Sequence, residues 1–260
     1  MSGRVLIVGG FLAGGLIAGG VALATLVSAT SLGSISLPSP APAAAATASP
    51  AISPSLQIAL EQAAATCPGL DWALLGGGVL VDPALSAGLT SEATDLCSSP
   101  DRTATLVALL PGPTEGIAAA VLAHSLDADP DLTAPAADAI AFAAVNLGAP
   151  YRWGGTGPGG FDCSGLTMEA YKAAGVSLPR VAQDQFDAGP AVGPGVPLMP
   201  GDLVFFGAGA QEVSHVGLYI GGGDMIDAPH SGAFVRIEPT PTTPGASFGS
   251  DIYVGATAPS

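Results

Sequence analysis

The most pronounced feature of the chain's apolar pattern comes at its start: after Arg4 the run VLIVGGFLAGGLIAGGVALATLVSAT carries no charge from Val5 to Thr30. A helix of that length, at about 1.5 Å per residue, crosses a hydrocarbon core of about 30 Å. The glycine pairs at Gly9-Gly10, Gly14-Gly15 and Gly19-Gly20 would weaken a helix in water but are tolerated in a bilayer. Residues 1–30 are therefore expected to be a signal peptide or signal anchor, with the N-terminus cytoplasmic and the remainder exported. Val27-Ser28-Ala29 loosely fits a signal-peptidase site, while the length of the run favours an uncleaved anchor. From 31 to 54 the chain turns to Ala, Pro, Ser and Thr without charge or aromatic group, which predicts an extended linker.

Beyond the linker the spacing becomes helical. Leu56, Ala59, Leu60, Ala63 and Ala64, and later the run from Ile117 to Leu126, predict a small helical domain over 55–130. A third region, 135–257, opens with the helix PAADAIAFAAVNLGAP, closed by Gly148 and Pro150. The Gly-rich segment YRWGGTGPGGFD follows, then a helix from Cys163 to Ala174 that Asp162 can cap and Gly175 can end. Short β-like runs come next, at 203–206, 216–220, 225–228, 234–238 and 251–255. Helices followed by strands predict an α+β fold.

Charge narrows the function. Six Lys and Arg against 21 Asp and Glu give a net charge of -15, which would repel a phosphate backbone, so nucleic acid is excluded as a partner. The mean hydropathy of +0.53 comes largely from Ala and the N-terminal run and predicts one membrane segment, through which the membrane becomes a partner.

Three cysteines are too few for a disulfide scaffold, and their odd number leaves one thiol over. Cys67 and Cys97 bracket 30 residues of the helical region and, in an exported protein, are expected to pair. Cys163 then remains free at a helix start, where unsatisfied N–H groups and the positive end of the helix dipole favour a thiolate nucleophile. Its base must be one of three histidines. His124 falls in the helical region, His215 opens the strand VGLYI, and His230 lies in the turn-like APHSG. The glycines at 221–223 make 216–220 and 225–228 a hairpin. A three-residue loop would set residue 217 opposite 227 and bring Asp227 diagonally beside His215; a loop of two or four would set His230 opposite it. A carboxylate better stabilises an imidazolium, which favours Asp227 and leaves His230 as a candidate substrate contact. No helical His or Cys spacing typical of a metal site is present, and neither metal nor cofactor is expected.

The segments PYRWGGTGPGGFDCSGL, LPR with DQF, MPGDLVFF, SHVGLYIGGGDMIDAPHSG and DIYVG resemble the NlpC/p-sixty family of cell-wall cysteine peptidases over about 135–257. The resemblance implies a papain-like α+β fold with a catalytic Cys, His and third polar residue, slots into which Cys163, His215 and Asp227 fall. It further implies cleavage of peptidoglycan stem peptides, commonly between D-glutamate and a diamino acid. Tyr151 matches a position lining the substrate site, and Asp162 and Ser164 match positions that recognise the stem-peptide end. Val181 and Ala182 depart from the family, which usually carries a hydroxyl after LPR. The segment ATCPGLDWALLGG resembles the start of a lytic transglycosylase-like module, but Asp82 stands near the place of its catalytic Glu, which implies a degenerate module. The expectation is an extracytoplasmic peptidoglycan endopeptidase of the bacterial envelope. The alternative is a non-catalytic wall-binding module.

Overall fold

The computed structural model of the protein describes residues 51–110 and 112–260. The expected membrane segment and most of the linker lie outside these residues. No helix among the described residues is long and apolar enough to cross a membrane.

Five α-helices occupy the first half: α1 (Pro54–Ala64), α2 (Trp72–Val81), α3 (Leu89–Ser98), α4 (Arg102–Leu109) and α5 (Pro113–Ala128), with a 3-10 turn at Pro83–Ala87. The α1 pattern places Leu60, Ala63 and Ala64 inside, as its spacing predicts. Helix α2 is less expected, because WALLGGGVLV contains three consecutive glycines that each cost helix stability. Tertiary packing supplies the reason. A Cβ at Gly77 would stand 2.2 Å from the carbonyl oxygen of Ala119, so glycine is what lets α2 and α5 approach backbone to backbone. Asp71 begins α2 by accepting the Ala73 N–H at 2.9 Å. A disulfide joins Cys67 to Cys97, with Cα atoms 5.6 Å apart, and ties the chain after α1 to α3.

The second half adds α6 (Ala134–Val145), α7 (Cys163–Ala173), α8 (Ala182–Ala188) and six strands. These are β1 (Leu203–Gly209), β2 (Glu212–Gly221), β3 (Asp224–Asp227), β4 (Arg236–Pro239), β5 (Ser247–Phe248) and β6 (Asp251–Thr257). They form one antiparallel sheet in the order β4-β3-β2-β1-β6-β5. The β1 run LVFF is apolar without alternation because both sheet faces are covered. Leu203 and Phe205 enter the core shared with the helices, while Val204 and Phe206 pack with Tyr219 and Met225 on the other side. Helices α1 to α5 contribute Leu60, Leu75 and Leu122 to the same core as Leu166 of α7 and Val216 of β2. Helix α5 is further fastened to the end of β2, where Ser125 Oγ donates to the Ile220 carbonyl at 2.8 Å and His124 Nε2 to that of Gly221 at 3.1 Å.

One expected strand is shorter than its pattern. The run 234–238 pairs with β3 only from Arg236 onward. The Val235 N–H bonds the Ala149 carbonyl and the Val235 carbonyl accepts from Gly148, while Tyr151 N–H bonds Ala233. The backbone before β4 is thus spent on holding the segment that leads into the Gly-rich loop.

Candidate active site

Cys163 is the first residue of α7, and Asp162 is its N-cap, accepting the Gly165 N–H at 2.7 Å. The same carboxylate accepts the Gly154 N–H at 2.8 Å, so it fastens the Gly-rich loop to the helix start. Gly165 permits the approach: a Cβ there would lie 2.0 Å from the Gly155 carbonyl oxygen. Arg180 completes the arrangement with Nη2 at 2.7 Å and Nη1 at 2.9 Å from the two Asp162 oxygens, and Nη1 also donates to Ser164 Oγ at 3.0 Å. The bond to Asp162 raises the Arg180 pKa further, against burial. Asp162 therefore meets four donors with two oxygens, and Ser164 is 5% exposed. Both act on the frame of the nucleophile's loop in this structure.

His215 stands in β2 next to a bulge: Phe206 pairs with His215 but Gly207 pairs with Val213, leaving Ser214 extra. Ser214 Oγ donates to Asp251 Oδ2 at 2.5 Å and pins that bulge to β6. The β2–β3 turn uses Gly221, Gly222 and Gly223, all at positive φ (95°, 61° and 92°), a conformation that side chains rarely adopt. Gly221 pairs with Asp224 across the two-residue turn Gly222-Gly223, not across the expected three-residue loop, and a bulge between Tyr219 and Gly221 restores the register that sets Leu218 opposite Ile226, which continues to residue 217 opposite 227 and puts Asp227 diagonal to His215. The geometry follows: His215 Nε2 donates to Asp227 Oδ2 at 2.7 Å, with His215 6% and Asp227 0% exposed. Phe248 stacks on the imidazole at 5.4 Å between centroids and 14° between planes, and Phe206 flanks it at 5.9 Å.

With Nε2 committed to Asp227, Nδ1 is the nitrogen left for the thiol, and Cys163 lines the same groove as the ring and raises its pKa. Burial is the largest single influence on His215 and opposes its charge. The Asp227 hydrogen bond, the contact with Cys163 and the charges of both outweigh it together, raising the ring to about 9. A ring of that basicity is protonated at neutral pH, as a thiolate–imidazolium pair requires.

Cys163 and His215 face a groove of about 1120 Å³ also lined by Tyr151, Asp162, Ser164 and His230. Tyr151 is half-buried, and burial followed by the nearby Cys163 and Asp162 raises its pKa, which keeps the phenol a hydrogen-bond donor. His230 is exposed at the rim, with Nδ1 turned to its neighbour Ser231. The structure thus gathers all seven groove candidates, with Asp227 behind His215 rather than on the groove wall.

Four participants escaped the sequence. Arg180 was visible in LPR without an assignable role. Phe248 lies on a strand of two residues, too short for any periodic signal. Arg236 and Glu238 also line the groove, Arg236 Nη2 donating to Glu238 Oε2 at 2.7 Å; their i, i+2 spacing in FVRIE marks a shared face, but not which residues that face meets.

The chain matches the NlpC/P60 family over residues 148–244, which include Cys163, His215 and Asp227. It is 47% identical over 107 residues to the "Gamma-D-glutamyl-L-lysine dipeptidyl-peptidase" of Bacillus subtilis, covering 39% of this chain and 35% of that protein. Over 93 residues it is 46% identical to the "Probable endopeptidase p60" of Listeria monocytogenes, covering 36% of this chain and 19% of that protein. The chain thus spans about a third or less of the length of these relatives. Among solved structures, the P60 domain of an antigen from M. avium subspecies paratuberculosis is 30% identical, with 48% of this chain and 93% of that chain covered and a TM-score of 0.41. On these matches the chain belongs to the NlpC/P60 family.

Proposed function

We propose that the protein is a peptidoglycan hydrolase, a cysteine endopeptidase that cuts stem peptides at the bond between D-glutamate and a diamino acid. One observation carries this reading: a free thiol at a helix start shares a groove with a buried imidazole whose far nitrogen is bonded to a fully buried carboxylate. Family membership supports the peptidase chemistry, and the name of the Bacillus subtilis relative, a γ-D-glutamyl-L-lysine peptidase, supports the choice of bond. The Cys67–Cys97 disulfide supports an oxidising, extracytoplasmic location.

In this mechanism the Cys163 thiolate attacks the scissile carbonyl and forms a C–S bond. The developing oxyanion is held by the Cys163 N–H at the start of α7, which has no partner within the helix, and by the Tyr151 hydroxyl. The His215 imidazolium gives its Nδ1 proton to the leaving amine as the C–N bond breaks. Water then attacks the thioester with the neutral ring as base, releasing the carboxylate product and restoring the thiolate–imidazolium pair. Asp227 holds the ring's orientation and tautomer throughout.

The test is digestion of defined muropeptides by the full-length protein, with products identified by mass spectrometry. The wild type is expected to release fragments cut after D-glutamate, and Cys163→Ala to release none while keeping the wild-type unfolding transition. Continued release by Cys163→Ala would refute the nucleophile, and a cut at another bond would refute the substrate assignment.

A further inference from the structure

The His215–Asp227 pair leaves one atom unexplained. Asp227 Oδ1 is buried without a hydrogen-bond partner, and so is Glu238 Oε1. Buried carboxylate oxygens are normally paired, because an unpaired one loses its hydration without return. The two groups belong to adjacent strands: Asp227 pairs with Arg236 and Met225 with Glu238, so residues 225, 227, 236 and 238 all lie on one face. On that face the Glu238 carboxyl lies beside Asp227, near enough for the Asp227 charge to raise its pKa. Its other oxygen, Oε2, accepts from Arg236 Nη2 at 2.7 Å. Two bare carboxylates side by side repel, whereas one proton between them satisfies both orphaned oxygens at once.

We propose that Glu238 is a positioning residue for the reaction: its protonated carboxyl donates to Asp227 Oδ1 and so fixes the carboxylate that orients the His215 ring. This rests on the peptidase reading above. Three links form a line from β4 to the thiol, Glu238 to Asp227, Asp227 to His215, and His215 to Cys163. The charged and titratable groups around the acid pair are His215 from β2, Arg236 from β4 and, beyond the ring, Cys163 from α7. Burial, then the Asp227 charge, raises the Glu238 pKa, and Arg236 opposes the rise. The sign follows from that direction: the donated proton is present below the raised pKa and is lost as pH rises through it, leaving two negative charges side by side.

Two substitutions test the proposal. Glu238→Gln keeps a donor for Oδ1 and an acceptor for Arg236 at every pH, and is expected to retain kcat within about threefold of wild type. Glu238→Ala leaves Oδ1 bare, and is expected to lose kcat about tenfold or more with KM little changed. A second readout needs no peptidoglycan: the rate at which iodoacetamide alkylates Cys163 across pH. In Glu238→Ala a loosened Asp227 no longer offsets the burial of His215, so the upper limb of that profile moves to lower pH, whereas Glu238→Gln keeps it in place. Thermal unfolding of both variants checks the fold. Wild-type kcat and an unmoved profile in Glu238→Ala would overturn the proposal, as would Glu238→Gln being as impaired as Glu238→Ala. If the wild type cleaves no muropeptide, the peptidase reading fails, while the alkylation profiles still decide the link from Glu238 to the thiol.

Discussion

Two aspartates serve the thiol from opposite sides, and their surroundings differ in kind. Asp162, at the junction of the Gly-rich loop and α7, receives two backbone N–H groups and both arms of Arg180. Asp227, in β3, receives one imidazole N–H on Oδ2 and no backbone or guanidinium donor, its Oδ1 being left to the proton proposed for Glu238. A carboxylate whose lone pairs are all taken up by two backbone N–H groups and a guanidinium has none left for chemistry and acts as a structural node. One whose donors are themselves titratable exchanges its influence with their protons, which is the property a catalytic orienting group needs. Two residues of the same type flanking one nucleophile are thus sorted by donor count: Asp162 builds the site, and Asp227 takes part in the proposed chemistry.

Replacing each aspartate should separate these roles most sharply. Asp227→Ala is expected to lower kcat on muropeptides by about 10²-fold or more with KM changed little, since the ring loses its tautomer and orientation. It should also move the ring's titration down from about 9, because burial is then unopposed by the carboxylate. The loss of activity therefore deepens as pH rises through the neutral range, where the remaining imidazolium deprotonates. A pH–rate profile of kcat checks both points, and an Asp227→Ala enzyme with wild-type kcat would remove Asp227 from the mechanism.

Asp162→Ala should act through the fold instead. It deletes an N-cap and strands an Arg180 side chain that is 35% exposed, a combination expected to cost about 3 kcal/mol of stability, with the exposed cation paying less than a buried one. Chemical denaturation measures it. An Asp162→Ala protein of wild-type stability with impaired KM would instead return Asp162 to substrate recognition, the role the family resemblance implies for it.

How much of this contrast could be seen in the chain varies by residue. The cap and the thiol were legible because Asp162 and Cys163 are adjacent and their geometry is local. His215 and Asp227 were legible as members of one glycine-turned hairpin, but their register was not fixed by loop length: the turn has two residues, and the bulge between Tyr219 and Gly221 is what brings Asp227 to the ring. Glu238 was not, since the return from β3 to β4 runs through residues 228–235, whose backbone partly pairs with 148–151 and gives no register to extend. Helix α2 was hidden for another reason: its three glycines argue against a helix locally and for one only when α5 lies against them. The short helix α8 has no period to read, although its Gln185 bonds Thr167, the Ser164 carbonyl and the Pro179 carbonyl behind the nucleophile.

Asp202 extends the donor-count rule to a carboxylate far from the proposed chemistry. It is 5% exposed, accepts the Met199 N–H at 2.8 Å and has no cation in contact among the described residues. Burial raises its pKa to about 6, with the nearby Asp129 charge adding to the rise and the Met199 hydrogen bond opposing it. The native state therefore holds a proton that the unfolded chain has released between the ordinary carboxylate range and about 6. Stability contributed by the protonated form is present below that window and falls as pH rises through it. Asp202→Asn keeps the acceptor for Met199 and removes the charge, so it should gain about 3 kcal/mol over wild type at pH 7 and under about 1 kcal/mol at pH 4. Thermal melts of the two proteins at both pH values measure this difference. Equal melting curves at pH 7 would mean that a single backbone donor suffices to hold a buried carboxylate charged, and the distinction between Asp162 and Asp227 could then no longer rest on counting donors.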